Sequence, residues 1–304
     1  MDIKDRLIGF ADEASDSIEG QVAALRKLNW SGLELRAVNG KQLVDLTDEE
    51  FSHAEKVLKD NGIAVVSVGS NVANWQISIE SDFKETKDLV ARYIPRAKTL
   101  GAKFVRVMSY SILTDNEGRV LSDQKKNERF SRLRWITEEF GNHGLIPVHE
   151  NCFTYGGLSW EHTLELVENV PGLRLAFDTG NPPIDVDART EYPYSYQNSY
   201  EFYEHVKPYI SHVHIKDSWK DENGVEHYTF PGEGKGDVLK IVSDLERSGY
   251  TGYYSMEPHM AVVFHNRSVT ASDEERSSNF IEYGRRFEKI LADVQPGSRM
   301  KASV

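Results

Sequence analysis

The sequence predicts a closed (β/α)8 barrel. Eight short, apolar, strand-like runs each precede a run with helical periodicity, and the pattern continues along the 304-residue chain without a long linker or a Pro/Ser-rich break. Alternating strand and helix units imply a parallel sheet covered by helices. Eight such units in roughly 250–300 residues are typical of a sheet closed into a barrel. A doubly wound open sheet is the alternative, but no G-x-G-x-x-G turn follows the first strand.

The strand-like runs recur at regular intervals, and most of them end in polar residues. They are LIGFADEA (7–14), GLELRAV (32–38), AVVSVGSN (64–71), KFVRVMSY (103–110), GLIPVHEN (144–151), LRLAFDTGN (173–181), ISHVHIKD (210–217) and GYYSMEPHM (252–260). The helical runs that follow them are SIEGQVAALRKLN, DEEFSHAEKVLKDNG, DFKETKDLVARYIPRAKTLG, NERFSRLRWITEEFGNHG, SWEHTLELVENV, SYEFYEHVKPY, GDVLKIVSDLERSG and NFIEYGRRFEKILADV. We expect residues 1–292 to form one barrel domain and residues 293–304, which lose periodicity, to be a disordered tail.

Composition narrows the class of partner. The net charge of −12 argues against nucleic acid or an anionic membrane as the main partner. The single cysteine, Cys152, excludes an internal disulfide and fits a reducing compartment. No segment is long and apolar enough to cross a bilayer, and the first residues hold too brief an apolar run for a signal peptide. We therefore expect a cytoplasmic protein that acts on a small molecule.

Four consecutive predicted strands end in residues that can bind a metal ion. In a barrel of this kind the functional residues lie at the C-terminal ends of the strands. Strands five to eight end in Glu150, Asp178, His214 and Glu257, roughly 30–40 residues apart, which is about one βα unit. Three carboxylates and one imidazole suit a divalent ion, with Mn or Mg favoured and Co, Fe or Zn as alternatives.

Each of these residues also has an ordinary structural interpretation. Glu150 could cap a loop, and Asp178 could form an Asx-turn. His214 could be a buried core histidine, and Glu257 could simply face water. All four would then have to fall at successive strand ends by chance, so a metal site is the stronger hypothesis.

Several strings resemble a known superfamily. VHEN, FDTGN, HVHIKD and SMEPH, in that order, resemble the xylose isomerase-like TIM barrels, a superfamily of sugar isomerases and epimerases. GFADEAS and GLELRAVNGK look like the first two units of bacterial proteins labelled sugar phosphate isomerase/epimerase, and the resemblance covers about residues 7–290. It implies that Glu150, Asp178, His214 and Glu257 bind the metal.

The two histidines of HVHIKD need to be told apart. His212 and His214 share one face of the predicted strand, because side chains alternate along a strand. In the ketose epimerases the second histidine of this motif is the ligand, and His214 also lies closer to the C-terminal mouth of the barrel. His212 is then expected to lie one layer deeper, while Val213 and Ile215 pack under the outer helices.

Proton removal next to a sugar carbonyl is the predicted chemistry. A divalent cation would stabilise the enediolate, with Glu150 and Glu257 as bases assisted by His259. His149 and His265 are further acid–base candidates. Residues predicted to contact substrate are Glu34, Arg36, His149, Asn181, Lys216 and Asp217.

The substrate and the outcome of the reaction stay open. Asn181 stands where the ketose epimerases carry a substrate-binding histidine, and their arginine after the strand-seven motif is missing. A metal-dependent lyase or dehydratase acting on a keto-sugar or 3-oxo-glycoside is therefore the alternative to a sugar isomerase or epimerase. A non-catalytic sugar-binding barrel is the third hypothesis, against which the four complete strand ends argue.

Two loops carry further expectations. The tyrosine-rich loop 182–203 could pack against a sugar, or it could form the interface of a homo-oligomer. PGEGKGD (231–237) could cradle a phosphate through its glycine N–H groups and Lys235. A tight entry into the following helix is the favoured interpretation, because no basic cluster accompanies it.

Overall fold

A nearly closed barrel of eight parallel strands forms the centre of the computed structural model, which describes residues 3–263 and 271–294. The strands are β1 (Leu7–Gly9), β2 (Gly32–Leu35), β3 (Ala64–Val68), β4 (Phe104–Val107), β5 (Ile146–Glu150), β6 (Arg174–Asp178), β7 (Ile210–Ile215) and β8 (Tyr253–Met256). Their order is β1-β8-β7-β6-β5-β4-β3-β2, and every pairing is parallel. At the seam β1 and β2 approach closely, since a Cβ on Gly32 would lie 2.5 Å from Ile8 Cγ2. The predicted (β/α)8 fold is confirmed.

A helix follows each strand. The helices are α1 (Ile18–Leu28), α2 (Asp48–Asp60), α3 (Phe83–Thr99), α4 (Lys126–Asn142), α5 (Trp160–Asn169), α6 (Ser199–Val206), α7 (Val238–Arg247) and α8 (Asp273–Val294). Ser17, Thr47 and Ser159 accept N–H groups of the first turns of α1, α2 and α5, which fixes where these helices begin. Residues 295–304 of the predicted tail lie outside the described residues. Within the described ranges, no helix has the length and apolar character needed to cross a membrane.

The outer face of the strands packs against the helices, and the inner face lines the interior of the barrel. Val213 and Ile215 are fully buried in the large core between the sheet and the helices. Inside the barrel, Phe104, Val148 and Ala176 form a small apolar cluster of their own. The His212 ring lies over Phe104, with 5.6 Å between the ring centroids. The apolar cluster therefore closes the lower part of the barrel, and the polar residues of the strands lie above it.

The glycine loop after β7 is held by Asp217. Both carboxylate oxygens accept backbone N–H groups at 2.8–3.0 Å, from Ser218, Gly232, Gly234 and Gly236. A Cβ on Gly234 would lie 2.4 Å from Asp217 Oδ1, so this close approach requires glycine. Burial nevertheless raises the pKa of Asp217, against the effect of these four donors. The donors of PGEGKGD thus bind an internal carboxylate, which supports the tight entry into α7 and not the phosphate cradle.

The tyrosine-rich loop is hydrogen bonded to a neighbouring loop. Tyr192 donates to the Glu117 carbonyl at 3.2 Å, and the Val120 N–H donates to the Tyr194 hydroxyl at 3.0 Å. The loop is therefore fastened to the segment that follows β4. Tyr192 and Tyr196 remain 53% and 42% exposed. A cavity of about 670 Å³ opens at the C-terminal ends of the strands, and none of the described residues that line it comes from 182–203. A sugar contact by this loop is therefore not supported. Its role as a subunit interface stays a prediction.

Candidate active site

A cavity of about 670 Å³ opens at the C-terminal ends of the strands. Arg36, Asn181 and Lys216, three of the residues predicted to contact substrate, line it together with Glu150, Glu257 and His259. Trp75 and Phe153 add aromatic surface from the loops after β3 and β5. Ligand pockets of this size in barrels are built by such loops.

The four predicted metal ligands meet in one place. Glu150, Asp178, His214 and Glu257 each offer an atom within 4.8 Å of those of the other three. None of these four residues is more than 3% exposed. Buried carboxylates this close together repel one another unless cations lie between them. The arrangement therefore calls for positive charge at its centre.

The two carboxylate oxygens of Asp178 have different contacts. Oδ1 accepts the N–H groups of Gly180 and Asn181, both at 2.8 Å, and so forms an Asx-turn. Oδ2 is buried and makes no hydrogen bond within the described part of the chain, although Lys216 Nζ lies 3.0 Å away as an ion pair. The turn and the metal-ligand interpretations are thus compatible. Burial raises the pKa of Asp178 to about 6, against the effect of Lys216.

The two carboxylate oxygens of Glu150 also differ in their contacts. Oε1 accepts the Asn181 side-chain amide at 3.1 Å, whereas Oε2 has no hydrogen-bond partner among the described residues. Arg106 Nη1 lies 3.0 Å from Oε2. Burial would raise the pKa of Glu150, but Arg106 and His214 outweigh it and hold the pKa at about 2. The carboxylate is therefore ionised at neutral pH.

The His214 ring lies between the ligand set and a deeper carboxylate. Its Nδ1 is 3.8 Å from Glu150 Oε1 and 3.9 Å from Asp178 Oδ2, and its Nε2 is 3.3 Å from Glu34 Oε2. Burial lowers its pKa, but Glu34 and Glu150 together raise it to about 10. His214 thus points Nδ1 at the other predicted ligands and Nε2 at Glu34.

Glu34 was expected to contact substrate, and the structure instead places it beneath the site. It is fully buried and accepts hydrogen bonds at 2.7 Å from His212 Nε2 and at 2.8 Å from Ser67 Oγ. Because Glu34 also faces His214, one carboxylate orients both imidazoles of the HVHIKD motif. Carboxylates in this position fix the tautomer of a metal-binding histidine.

His149 and Asp217 also lie elsewhere than expected. His149 is adjacent to Glu150 on β5, so its side chain points to the opposite face, where Nε2 lies 3.0 Å from Ser109 Oγ. Burial lowers the pKa of His149 to about 4. Asp217 is engaged by the glycine loop. Glu34, His149 and Asp217 are not among the described residues that line the cavity, and their predicted contacts with substrate stay predictions.

Cations surround the Glu257 side of the pocket. Glu257 pairs with Lys216 Nζ at 2.9 Å and with Arg36 Nη1 at 2.7 Å. Burial would raise its pKa, but Lys216 and its other charged neighbours hold the pKa well below the usual range. Arg36 also binds Asp12 at 2.8 Å and Glu13 at 3.3 Å. Lys216 thus bridges Asp178 and Glu257, two of the four predicted ligands.

Two residues of the site were not singled out from the sequence. Arg106 faces the same interior as Glu150, and the alternation of KFVRVMSY along β4 was the signal that could have identified it. Glu13, after β1, accepts the His259 backbone N–H at 2.7 Å and lies 3.0 Å from His259 Nδ1. A contact over such a sequence distance leaves no local signal. His265, the other acid–base candidate, lies outside the described residues.

Three buried atoms that make no hydrogen bond with the described residues indicate where a cation fits. Glu150 Oε2, Asp178 Oδ2 and His214 Nδ1 are buried, make no hydrogen bond with described residues and belong to one cluster. Arg106 and Lys216 lie 3.0 Å from the two carboxylate oxygens as ion pairs, but buried polar atoms without hydrogen bonds still call for an explanation. Two other groups, Glu34 with His212 and His214, and Glu13 with Glu257 and His259, also meet the distance requirement. In each of those, a carboxylate is already hydrogen bonded to an imidazole.

The comparisons with known proteins agree with this architecture. A family model described as the xylose isomerase-like TIM barrel matches residues 22–278. The chain belongs to this family. A search of the curated proteins finds no significant match.

Solved structures with a similar fold include proteins named for different activities. A xylose isomerase-like protein from Mycobacterium smegmatis in complex with magnesium is 20% identical, with 90% of this chain and 89% of that chain covered and a TM-score of 0.64. The probable 3-DHS dehydratase of Bacillus anthracis is 16% identical, with 93% and 98% covered and a TM-score of 0.66. The 3-keto-D-glucoside 4-epimerase of E. coli is 16% identical, with 92% and 98% covered and a TM-score of 0.61. At these identities the likeness concerns the fold.

Proposed function

We propose that the protein is a divalent-metal-dependent sugar isomerase or epimerase that removes a proton from the carbon next to a carbonyl group. The observation that carries this proposal is the group of four buried ligand atoms, from Glu150, Asp178, His214 and Glu257, within 4.8 Å of one another. The substrate is a small sugar or keto-sugar in the 670 Å³ cavity. We keep the cytoplasm as the expected location.

The residues present fit a divalent cation. Three carboxylates and one imidazole form an oxygen-rich set, which favours Mn or Mg over Co, Fe or Zn. An ion held by these residues would supply positive charge that stabilises the negative charge developing on substrate oxygens. Glu34 keeps His214 oriented through Nε2, so that Nδ1 stays directed at the site.

The chain's own acid–base groups flank the same position. Glu150 and Glu257 approach from β5 and from the end of β8, on different sides of the barrel mouth. Arg106 holds Glu150 ionised, and Lys216 and Arg36 do the same for Glu257. An ionised carboxylate is the form that accepts a proton, and His259 lies next to Glu257 to exchange protons with substrate oxygens. Arg36, Asn181 and Lys216 line the pocket and are proposed to hold the sugar.

A lyase or dehydratase reaction is the second candidate. Proton removal would be the same, but a leaving group on the β carbon would then depart. Two observations favour keeping it: Asn181 replaces the histidine of the ketose epimerases, and Trp75 and Phe153 offer apolar surface for an aglycone. Similar solved structures include both a 3-keto-glucoside epimerase and a dehydratase.

Solvent isotope exchange tests both candidates together. Protein loaded with Mn²⁺ is incubated in deuterated water with free ketoses, 3-keto-glucosides and their reduced analogues. For the first candidate we expect deuterium at the carbon next to the carbonyl of the epimer or isomer. For the second we expect deuterium at that carbon in the recovered substrate, together with an enone product that has lost this hydrogen. Glu257→Gln should slow the exchange by about 10²–10⁴-fold, the usual contribution of a general base.

The matched control for that variant is Glu19→Gln. Glu19 lies on α1, is 56% exposed at its side chain and pairs with His53 on the surface. The Glu19→Gln protein should exchange the substrate proton for deuterium at the wild-type rate. Turnover with no deuterium at carbon, when the abstracted proton has time to wash out, would instead indicate a hydride shift or a hydrolysis and would contradict the proposal.

A further inference from the structure

His259 is held in an unusual backbone conformation beside the proposed base. Its φ is +53°, in the left-handed region that residues other than glycine seldom adopt. Its backbone N–H donates to Glu13 Oε2 at 2.7 Å, and its Nδ1 lies 3.0 Å from Glu13 Oε1. One carboxylate therefore fixes both the main chain and the ring of His259. Such over-determined conformations are found at functional sites.

Glu13 is itself rigidly placed. It ends a short turn of residues 11–13 directly after β1 and is only 3% exposed. Arg36 Nη2 lies 3.3 Å from Glu13 Oε1, and the same guanidinium binds Glu257. Arg276, on α8, donates to the carbonyls of Asp12 and Glu13. The carboxylate that holds His259 is thus anchored to β1, β2, β8 and α8 together.

The contact determines which nitrogen of His259 carries the proton. A carboxylate accepts hydrogen bonds and donates none, so Nδ1 must be protonated to bind Glu13 Oε1 at 3.0 Å. The lone pair of the neutral ring is then on Nε2. His259 lines the pocket, so proton exchange with a bound molecule would use that nitrogen. The same arrangement of carboxylate, Nδ1–H and Nε2 orients the histidine of serine-protease triads.

We propose that Glu13 is a positioning residue, which holds His259 as the Nδ1–H tautomer and turns Nε2 toward the substrate. The proposal rests on the proposed function. Glu13 does so through two contacts of one carboxylate, with the backbone N–H and with Nδ1 of His259.

Nitrogen NMR of the imidazoles tests the positioning without any substrate. Long-range ¹H–¹⁵N spectra of ¹⁵N-labelled protein are recorded for the wild type, Glu13→Gln and Glu19→Gln, with His259→Gln to assign the signal. We expect a protonated Nδ1 for His259 in the wild type and in Glu19→Gln, and a loss or mixing of this tautomer in Glu13→Gln. Glu19→Gln is the matched control because it breaks an exposed glutamate–histidine contact of 2.6 Å. An unchanged His259 signal in Glu13→Gln would overturn the proposal.

Kinetics with the keto-sugar that turns over gives the second measurement. Glu13→Gln should lower kcat by about 10–100-fold, the range of carboxylates that orient a functional histidine, with KM and manganese content little changed. The double variant with His259→Gln should be no slower than His259→Gln alone, because Glu13 acts through that ring. If the double variant is slower than His259→Gln by the same factor in kcat that Glu13→Gln alone causes, the proposal is overturned. If Glu13→Gln does not fold, Glu13→Asp, which keeps the charge but is one methylene shorter, takes its place in both measurements.

Failure of the proposed function would look different. If the wild type exchanges no keto-sugar proton, the proposed reaction is wrong. The NMR comparison still decides whether Glu13 sets the tautomer of His259. If the wild type is active and Glu13→Gln matches it in both tautomer and kcat, only the positioning role of Glu13 is contradicted.

Discussion

Replacing Asp178 with asparagine is expected to abolish stoichiometric binding of a divalent ion and to leave the barrel folded. The asparagine carbonyl can still accept the N–H groups of Gly180 and Asn181, which Oδ1 now accepts at 2.8 Å. The amide nitrogen would replace Oδ2, the buried oxygen that accepts no hydrogen bond from any described residue. Since an amide nitrogen carries protons and is not a metal ligand, the turn survives and the ligand is lost. We expect metal affinity to fall at least about 100-fold.

Elemental analysis after equilibrium dialysis against Mn²⁺ measures this effect, and circular dichroism checks the fold. Asp115→Asn is the matched control. Asp115 accepts the N–H groups of Glu117 and Arg119 at 2.9 Å in an exposed turn and has no part in the site. The Asp115→Asn protein should retain one Mn²⁺ ion per chain. Full metal occupancy in Asp178→Asn at the wild-type affinity would remove Asp178 from the ligand set.

His214→Ala and His212→Ala are expected to have opposite effects. His214 faces Glu150 and Asp178 through Nδ1, so its removal should eliminate metal binding and activity in a folded protein. His212 lies deeper, hydrogen bonded to Glu34 and with its ring tilted over that of Phe104. Its removal takes away the buried hydrogen bond of 2.7 Å to Glu34 Oε2, which should lower the free energy of unfolding by about 1–3 kcal/mol. Metal binding by His212→Ala should persist at reduced affinity.

Urea denaturation and manganese titration of the two variants measure these effects. Each variant serves as the control of the other, because the histidines are two residues apart on one face of β7. A His214→Ala protein that binds manganese normally, beside a His212→Ala protein that does not, would exchange the two roles.

Much of the fold, and the convergence of the four proposed ligands, could be predicted because both depend on local periodicity. Alternating strand and helix patterns predict a parallel barrel, and the barrel places successive strand ends on one rim. Glu150, Asp178, His214 and Glu257 therefore converge although no two are close in sequence. Asp178 illustrates how two interpretations can both apply, since one oxygen forms the turn and the other faces the site.

The remaining contacts depend on which face of a strand, or which end of a loop, a side chain occupies. His149 is displaced from the pocket by the alternation that brings Glu150 into it. Asp217 lies at a strand end, but the glycine loop provides its four donors. Glu13 and His259 come from opposite ends of the chain, and only the closure of the barrel brings them to 3.0 Å. Contacts of this kind leave no pattern in a single sequence.

Anomalous diffraction from a crystal soaked with Mn²⁺ tests the metal site most directly. Data collected on both sides of the manganese absorption edge locate the ion without reference to any assumed ligand. We expect a single peak bounded by Glu150, Asp178, His214 Nδ1 and Glu257, in contact with all four side chains. No peak at that position, or a peak held by Glu13, Glu257 and His259 instead, would contradict the proposed metal centre.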